Sequence, residues 1–202
     1  MKKFYLVRHG QTIYNEQGYI QGHCDSPLTE LGRQQALAAG DWLAAHDVAP
    51  QVIACSPLGR AFTTCGLITS VLAEKGLIDD TVFPQADARL IERAYGQYER
   101  CAKGDFPFNL WDPCDNVMPY GGEGNVTICE RMHEVARDLL AAETTQTAIA
   151  VSHGSACRQF VYTSNVGSIE LPQRLPNCCI AIFDYDQDAG EFFLNKLVDP
   201  LS

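Results

Sequence analysis

Two histidines in this chain stand at the exits of apolar runs, where an imidazole would be held at a site. They are His9 in Arg8-His9-Gly10 and His153 in Ser152-His153-Gly154. Each follows a short apolar run, Phe4-Tyr5-Leu6-Val7 or Ala148-Ile149-Ala150-Val151, that reads as a buried strand ending in a site. Side by side, two such strands would place both histidines at the carboxyl ends, where open α/β sheets bind ligands. Imidazole near neutral pH serves as nucleophile, acid, base or metal ligand. Arg8 and Arg60 add guanidinium forks, which bind phosphate oxygens bidentately and do not lose their charge. Arg60 ends Cys55-Ser56-Pro57-Leu58-Gly59-Arg60, a segment that leaves a strand and opens a helix, where free backbone N–H groups also attract anions. A phosphomonoester carries close to two negative charges near neutral pH. A neutral histidine nitrogen can attack its phosphorus in line to form phosphohistidine, after which the leaving alkoxide needs a proton from a carboxylic acid.

These residues must be positioned by a particular order of elements. A strand at about 3–8 leads into a Gly-rich, polar loop running to Pro27. Thr29 reads as the N-cap of a helix through about His46, with Ala36, Ala39, Gly40 and Leu43 on one face. Residues 51–55 form a short strand, and the spacing Leu58, Ala61, Cys65, Ile68, Leu72 is helical, with Gly76 as its stop. Val82-Phe83 reads as a further short strand, and 88–125 as an irregular stretch rich in aromatic residues, Pro and Gly. A helix over about 126–142, the second histidine strand, a helix near 155–164 and a strand pair near 180–185 and 192–197 complete the chain. Alternating strands and helices argue for a three-layer α/β/α sandwich with a mostly parallel central sheet. A hairpin turn at 186–190 would make one sheet edge antiparallel.

Bulk composition narrows the function classes. The 202 residues, 46% hydrophobic and 20% charged, fit one globular domain with a large core. With 15 Lys+Arg against 25 Asp+Glu the net charge is −10, a surface that repels nucleic acid and anionic lipid. An anionic ligand must therefore be held by local positive charge. The N-terminal apolar run is too short for a signal peptide and no run approaches membrane-spanning length, so a soluble, cytoplasmic protein is expected. The nine cysteines include no C-x-x-C and read mainly as reduced, buried small hydrophobes. His23, Cys24, His46 and His133 lack zinc-ligand spacing, so no metal is expected.

The combination of motifs closely resembles the histidine phosphatase superfamily, in its phosphoglycerate-mutase-like branch. The resemblance runs through Leu6-Val7-Arg8-His9-Gly10-Gln11-Thr12 with Asn15, then Gln21-Gly22, Asp25, Pro27-Leu28-Thr29, Gly32 and Gln35-Ala36. It continues in Ser56-Pro57-Leu58-Gly59-Arg60-Ala61, in Leu90-Ile91-Glu92-Arg93-Ala94-Tyr95-Gly96 with Glu99, and in Gly121-Gly122-Glu123. Val151-Ser152-His153-Gly154 with Arg158, and Asn177, close the series. Ordered blocks over nearly the whole chain are far more specific than one short signature. The resemblance implies that His9 is the phosphorylated nucleophile and that Glu92 protonates the leaving group and later activates water. Arg8, Arg60 and His153 would form the charged pocket, with Asn15, Gln21, Gly22 and Gly154 beside the phosphate. It implies no metal or other cofactor. The ligand would be a small phosphorylated substrate or inorganic phosphate. Cys55 precedes Arg60 by four intervening residues, whereas cysteine-dependent phosphatases need five.

Several departures bear on the reaction. Arg93 and Tyr95 are placed as in phosphoglycerate mutases, but 97–125 contains only Arg100 and Lys103 as cations, without the basic pair mutases use for a carboxylate. Arg100 stands where glycine commonly follows Glu99, and Gly124 where serine commonly follows Glu123. A phosphatase is therefore favoured over a mutase, with a non-catalytic phosphoryl-binding module as the third reading. The segment at about 97–125 is expected to act as a lid or insert. Its aromatic residues Phe106, Phe108, Trp111 and Tyr120 read either as a satellite core or as a selective wall. A sheet edge or this aromatic segment could mediate a homodimer.

Overall fold

The two histidine strands do lie side by side. In the computed structural model, which describes residues 1–79 and 81–202, β1 (Lys2–Arg8) pairs in parallel with β4 (Thr147–Ser152), Val7 opposite Val151 and Arg8 opposite Ser152. β2 (Val52–Cys55) flanks β4, and β3 (Gln85–Ala86) flanks β2, all parallel. On the other side, β5 (Ile180–Asp186) and β6 (Glu191–Val198) add an antiparallel hairpin, giving the order β3-β2-β4-β1-β5-β6. The hairpin turn is closed by Gly190 N–H donating to the Asp186 carbonyl (2.8 Å).

Helices cover both faces, which makes three layers. On one face α2 (Glu30–Ala45) and α3 (Gly59–Glu74) pack on Val7, Ile53, Ile149 and Val151. Thr29 caps α2 through its hydroxyl, which accepts from Gly32 N–H, and Ala36, Ala39, Gly40 and Leu43 are buried as the spacing predicts. A Cβ at Gly40 would lie 2.8 Å from the Val71 side chain, so glycine there permits close approach of α2 and α3. On the opposite face α4 (Asn125–Leu139) and α5 (Gly154–Thr163) cover Phe4, Leu6, Ala148 and Ala150, alongside edge-packed Phe160, Phe183 and Phe192. No helix among the described residues is long and apolar enough to cross a membrane.

Two expectations need correction. Val82-Phe83 is not a strand: Phe83 is exposed, and the edge strand forms at Gln85–Ala86, whose backbone pairs with Ala54 and Cys55. The loop after β1 contains a five-residue helix, α1 (Ile13–Gln17). It is too short for periodicity to reveal, and the signal lies in its capping box, Thr12 with Asn15, and in left-handed Gly18. Of the nine cysteines, all free, Cys55, Cys65, Cys157, Cys178 and Cys179 are buried, whereas Cys114 is exposed.

His133, on α4, packs against Phe160 and Phe192. Thr163 Oγ1 donates to the Gln159 carbonyl and so accepts from His133 Nε2 (2.9 Å), leaving a buried Nδ1 lone pair. Burial, with Arg137 nearby, holds this imidazole down at about 4. The unfolded chain takes up the proton near pH 6.5, while the folded chain does not until about 4. Stability is therefore fully present above pH 6.5 and falls as pH drops through that window, by up to about 1.4 kcal/mol per pH unit for one such group. Melting temperatures recorded from pH 7 to 4.5 should decline less steeply in His133→Gln; parallel curves would contradict this.

Candidate active site

Because β1 and β4 end in register, the chain delivers both histidines to one spot. His9 N–H donates to the Ser152 carbonyl (2.9 Å), and the two imidazole centroids lie 5.1 Å apart at 60°. Their tautomers follow from their partners. His9 Nδ1 lies 2.7 Å from the Gly10 carbonyl, which only accepts, so Nδ1 carries the proton and Nε2 keeps its lone pair. His153 Nδ1 accepts from Arg60 Nε (3.1 Å), so its proton is on Nε2, a buried donor with no protein partner. One ring thus presents a nucleophilic lone pair and the other an N–H. Burial first, then Arg60, hold both imidazoles well below their ordinary 6.5, so both are neutral at pH 7.

The guanidinium groups differ in how far they are already committed. Arg60 is 1% exposed. Besides His153 it donates to the Cys24 carbonyl and Asp25 through Nη1 (both 2.9 Å) and to the Gly22 carbonyl through Nη2 (2.7 Å). One N–H of its five remains for a ligand. Arg8 donates to the Leu175 carbonyl through Nη1, while its Nε is buried without a partner. Burial, then Arg174, pull Arg8 down to about 10, which leaves it charged at pH 7. Gly154 lies against Arg8, as a Cβ there would be 3.3 Å from Nε.

Glu92 comes from the irregular stretch. Its carboxylate is fixed by N–H groups of Arg93 (2.9 Å), Ala156 (3.0 Å) and Ser155 (3.1 Å), the last two in the first turn of α5. Asn15 Oδ1 accepts from Thr12 N–H and Asn177 Nδ2 (both 3.3 Å), which leaves its own NH₂ free at the cleft. Gln21 bonds Thr12 Oγ1 (2.8 Å), and the far end of its amide is buried without a partner. Gly22 has φ +55°, and a Cβ there would strike Glu99, whose carboxylate accepts from the N–H groups of His23 and Cys24. Every residue singled out in sequence for this site except the fully buried His153 lines one cleft.

The profile of the histidine phosphatase superfamily, branch 1, matches residues 4–197. The chain belongs to that superfamily. Among its relatives, a probable phosphoglycerate mutase of Klebsiella pneumoniae is 33% identical over 93% of this chain and 86% of its own. Among solved structures, a phosphoglycerate mutase of Bacillus anthracis superposes with a TM-score of 0.78 at 20% identity, over 99% of this chain and 94% of that one. A mycobacterial glucosyl-3-phosphoglycerate phosphatase, solved with VO₃, gives 0.75 at 24%, over 96% and 97%. The last two establish the α/β fold.

Other residues of this histidine phosphatase's cleft were not singled out for it in sequence. Lys103, Arg158 and Arg174 reach it from three separate segments, so its cations are not confined to Arg8 and Arg60. Arg93 does not line it: 1% exposed, it clamps the Cys114 and Glu123 carbonyls and Asn125. Asn177, whose NH₂ also donates to the His9 carbonyl (3.0 Å), arrives because β5 is antiparallel and begins beside the end of β1. The aromatic stretch divides in two. Phe106 and Phe108 join Tyr98 and Tyr120 in a satellite cluster, while Trp111 faces the cleft. His46 stacks on Trp42, and His23 Nε2 meets the Glu92 carbonyl at 2.9 Å.

Proposed function

We propose that this histidine phosphatase hydrolyses a small phosphorylated metabolite through a phosphohistidine on His9. The observation that carries the reading is the pair of opposite tautomers: a His9 Nε2 lone pair faces the cleft beside a His153 Nε2–H with no protein partner. His9 Nε2 attacks phosphorus, forming P–N as the P–O bond to the alcohol breaks. Arg8, the free Arg60 N–H, His153 Nε2–H and the Asn15 amide hold the phosphoryl oxygens. Such donors stabilise charge already oriented for it, typically by about 3–4 kcal/mol each in a closed site. Glu92, as the carboxylic acid, gives its proton to the departing alkoxide. The resulting carboxylate then takes a proton from water as the water oxygen attacks phosphorus, P–N breaks, and His9 recovers its lone pair.

Hydrolysis rather than transfer is favoured because the cleft's outer wall is open: Arg174 is exposed and Trp111 half-buried, leaving water a route to the phosphohistidine. A mutase remains the second reading, supported by the name of the Klebsiella relative. Incubation with 3-phosphoglycerate separates them, since hydrolysis releases phosphate in the presence of EDTA whereas a mutase yields the 2-isomer. Accumulation of the isomer without phosphate would refute the hydrolytic reading.

The proton donor has its own signature. Glu92→Gln should lower kcat on alkyl phosphates by about 10²–10⁴-fold. The loss should be much smaller on 4-nitrophenyl phosphate, whose leaving group needs no proton. Equal losses on both substrates would remove Glu92 from this role.

A further inference from the structure

Glu99 does not line the cleft, yet it stands behind the turn that holds Arg60. Backbone pairing brings it there: Arg100 N–H donates to the Ile20 carbonyl (2.8 Å) and Ile20 N–H to the Cys101 carbonyl (2.9 Å). The Gly22–His23 peptide group then faces two charges. Its oxygen accepts from Arg60 Nη2 (2.7 Å), and its N–H donates to Glu99 Oε1 (2.9 Å). Cys24 repeats the arrangement, its carbonyl accepting from Arg60 Nη1 (2.9 Å) and its N–H donating to Glu99 Oε2 (3.0 Å). A trans peptide directs its C=O and N–H oppositely, so guanidinium and carboxylate lie on opposite sides of one turn. Hydrogen bonds at the two ends of a peptide group polarise and strengthen one another. Tyr95 N–H (3.3 Å) is a further donor to the carboxylate, and Glu99 forms no ion pair among the described residues.

Resting on the phosphatase reading, we infer that Glu99 is a positioning residue, which holds Arg60 in its phosphoryl-binding pose through the carbonyls of Gly22 and Cys24. Two carboxylates thus act on one guanidinium: Asp25 touches it directly, and Glu99 works across the peptide groups. What they position is the Arg60 N–H left for a ligand and, through Nε, the tautomer of His153. Burial pulls the Arg60 guanidinium down, and Glu92, Asp25 and Glu99 oppose that pull. The arrangement requires left-handed Gly22 (φ +55°), because a Cβ there would strike Glu99 Oε1.

Glu99→Gln tests the inference, since its amide sets an NH₂ against a peptide N–H that now meets a carboxylate oxygen. kcat/KM should fall about tenfold, the size of coupling found within one hydrogen-bonded network. The factor should be the same on an alkyl phosphate and on 4-nitrophenyl phosphate, because the phosphoryl end is disturbed and the proton donor is not. In an Arg60→Lys background the same substitution should cost less than about threefold, because the fork it positions is already gone. Calorimetric binding of inorganic phosphate should show the same dependence on Arg60. A loss of equal size in both backgrounds would make Glu99 a support of the fold alone, and no loss would leave it without a role; either overturns the inference. Melting curves establish that each variant is folded at the assay temperature. Should Glu99→Gln not fold, Glu99→Asp, which keeps the charge on a shorter stem, replaces it in the cycle with the same expected dependence on Arg60. If the wild type hydrolyses nothing, the phosphatase reading fails, and the phosphate-binding cycle by itself upholds or removes the action of Glu99 on Arg60.

Discussion

Substitution of His9 by alanine should lower kcat/KM by about 10⁵-fold, the scale seen when a covalent nucleophile is removed. No neighbouring group is placed to take over. The other imidazole, His153, carries its proton on the nitrogen not bonded to Arg60, so its lone pair already accepts from that guanidinium. The change should leave the melting temperature within a few degrees. His9 makes one side-chain bond, to the carbonyl of the next residue, and its imidazole is desolvated amid arginines rather than anchoring a core. Rapid quench with ³²P-labelled substrate should trap an acid-labile, base-stable adduct in the wild type and none in the variant. An active His9→Ala enzyme, or a label that survives acid, would end the phosphohistidine mechanism.

Arg60→Lys should damage activity and stability together. The arginine spans four partners from one buried planar fork: the Gly22 and Cys24 carbonyls, Asp25 and His153 Nδ1. A lysine ammonium keeps the charge but cannot reach all four. Two loop carbonyls would lose their donor, and His153 would lose the bond that fixes its tautomer. Breaking a buried charged network typically costs about 3–5 kcal/mol, which in a chain of this size lowers the melting temperature by roughly 10 °C. Loss of a phosphoryl donor and a mis-set His153 should reduce kcat/KM by about 10²–10³-fold. Thermal melts and steady-state rates on the same preparation check both. A stable but inactive variant would leave Arg60 purely chemical, and an active but unstable one purely structural.

Much of the architecture was legible because local patterns and tertiary needs agree. The runs at Phe4–Val7 and Ala148–Val151 are apolar at every position, as strands buried on both faces must be, and both are covered by helices on each side. Thr29 and Gly76 mark helix ends by their own chemistry, one with a capping hydroxyl and the other with a left-handed backbone. Val82-Phe83 misled because β-propensity is a preference for a half-buried pleated surface, and the sheet offers its edge three residues later.

Sequence alone determined the inner site: which imidazoles leave which strands, and which guanidinium opens which helix, since these follow from residues adjacent to recognisable element ends. Two further things came only from the tertiary structure. One is the pair of tautomers, set by a carbonyl next to His9 and by a guanidinium 93 positions away from His153. The other is the outer charge, because Lys103, Arg158 and Arg174 share no local pattern. They meet because a helix, an irregular insert and the approach to an antiparallel strand converge on the carboxyl ends of the parallel strands. Electrostatic interaction depends on distance in space, and spacing along the chain carries no record of it.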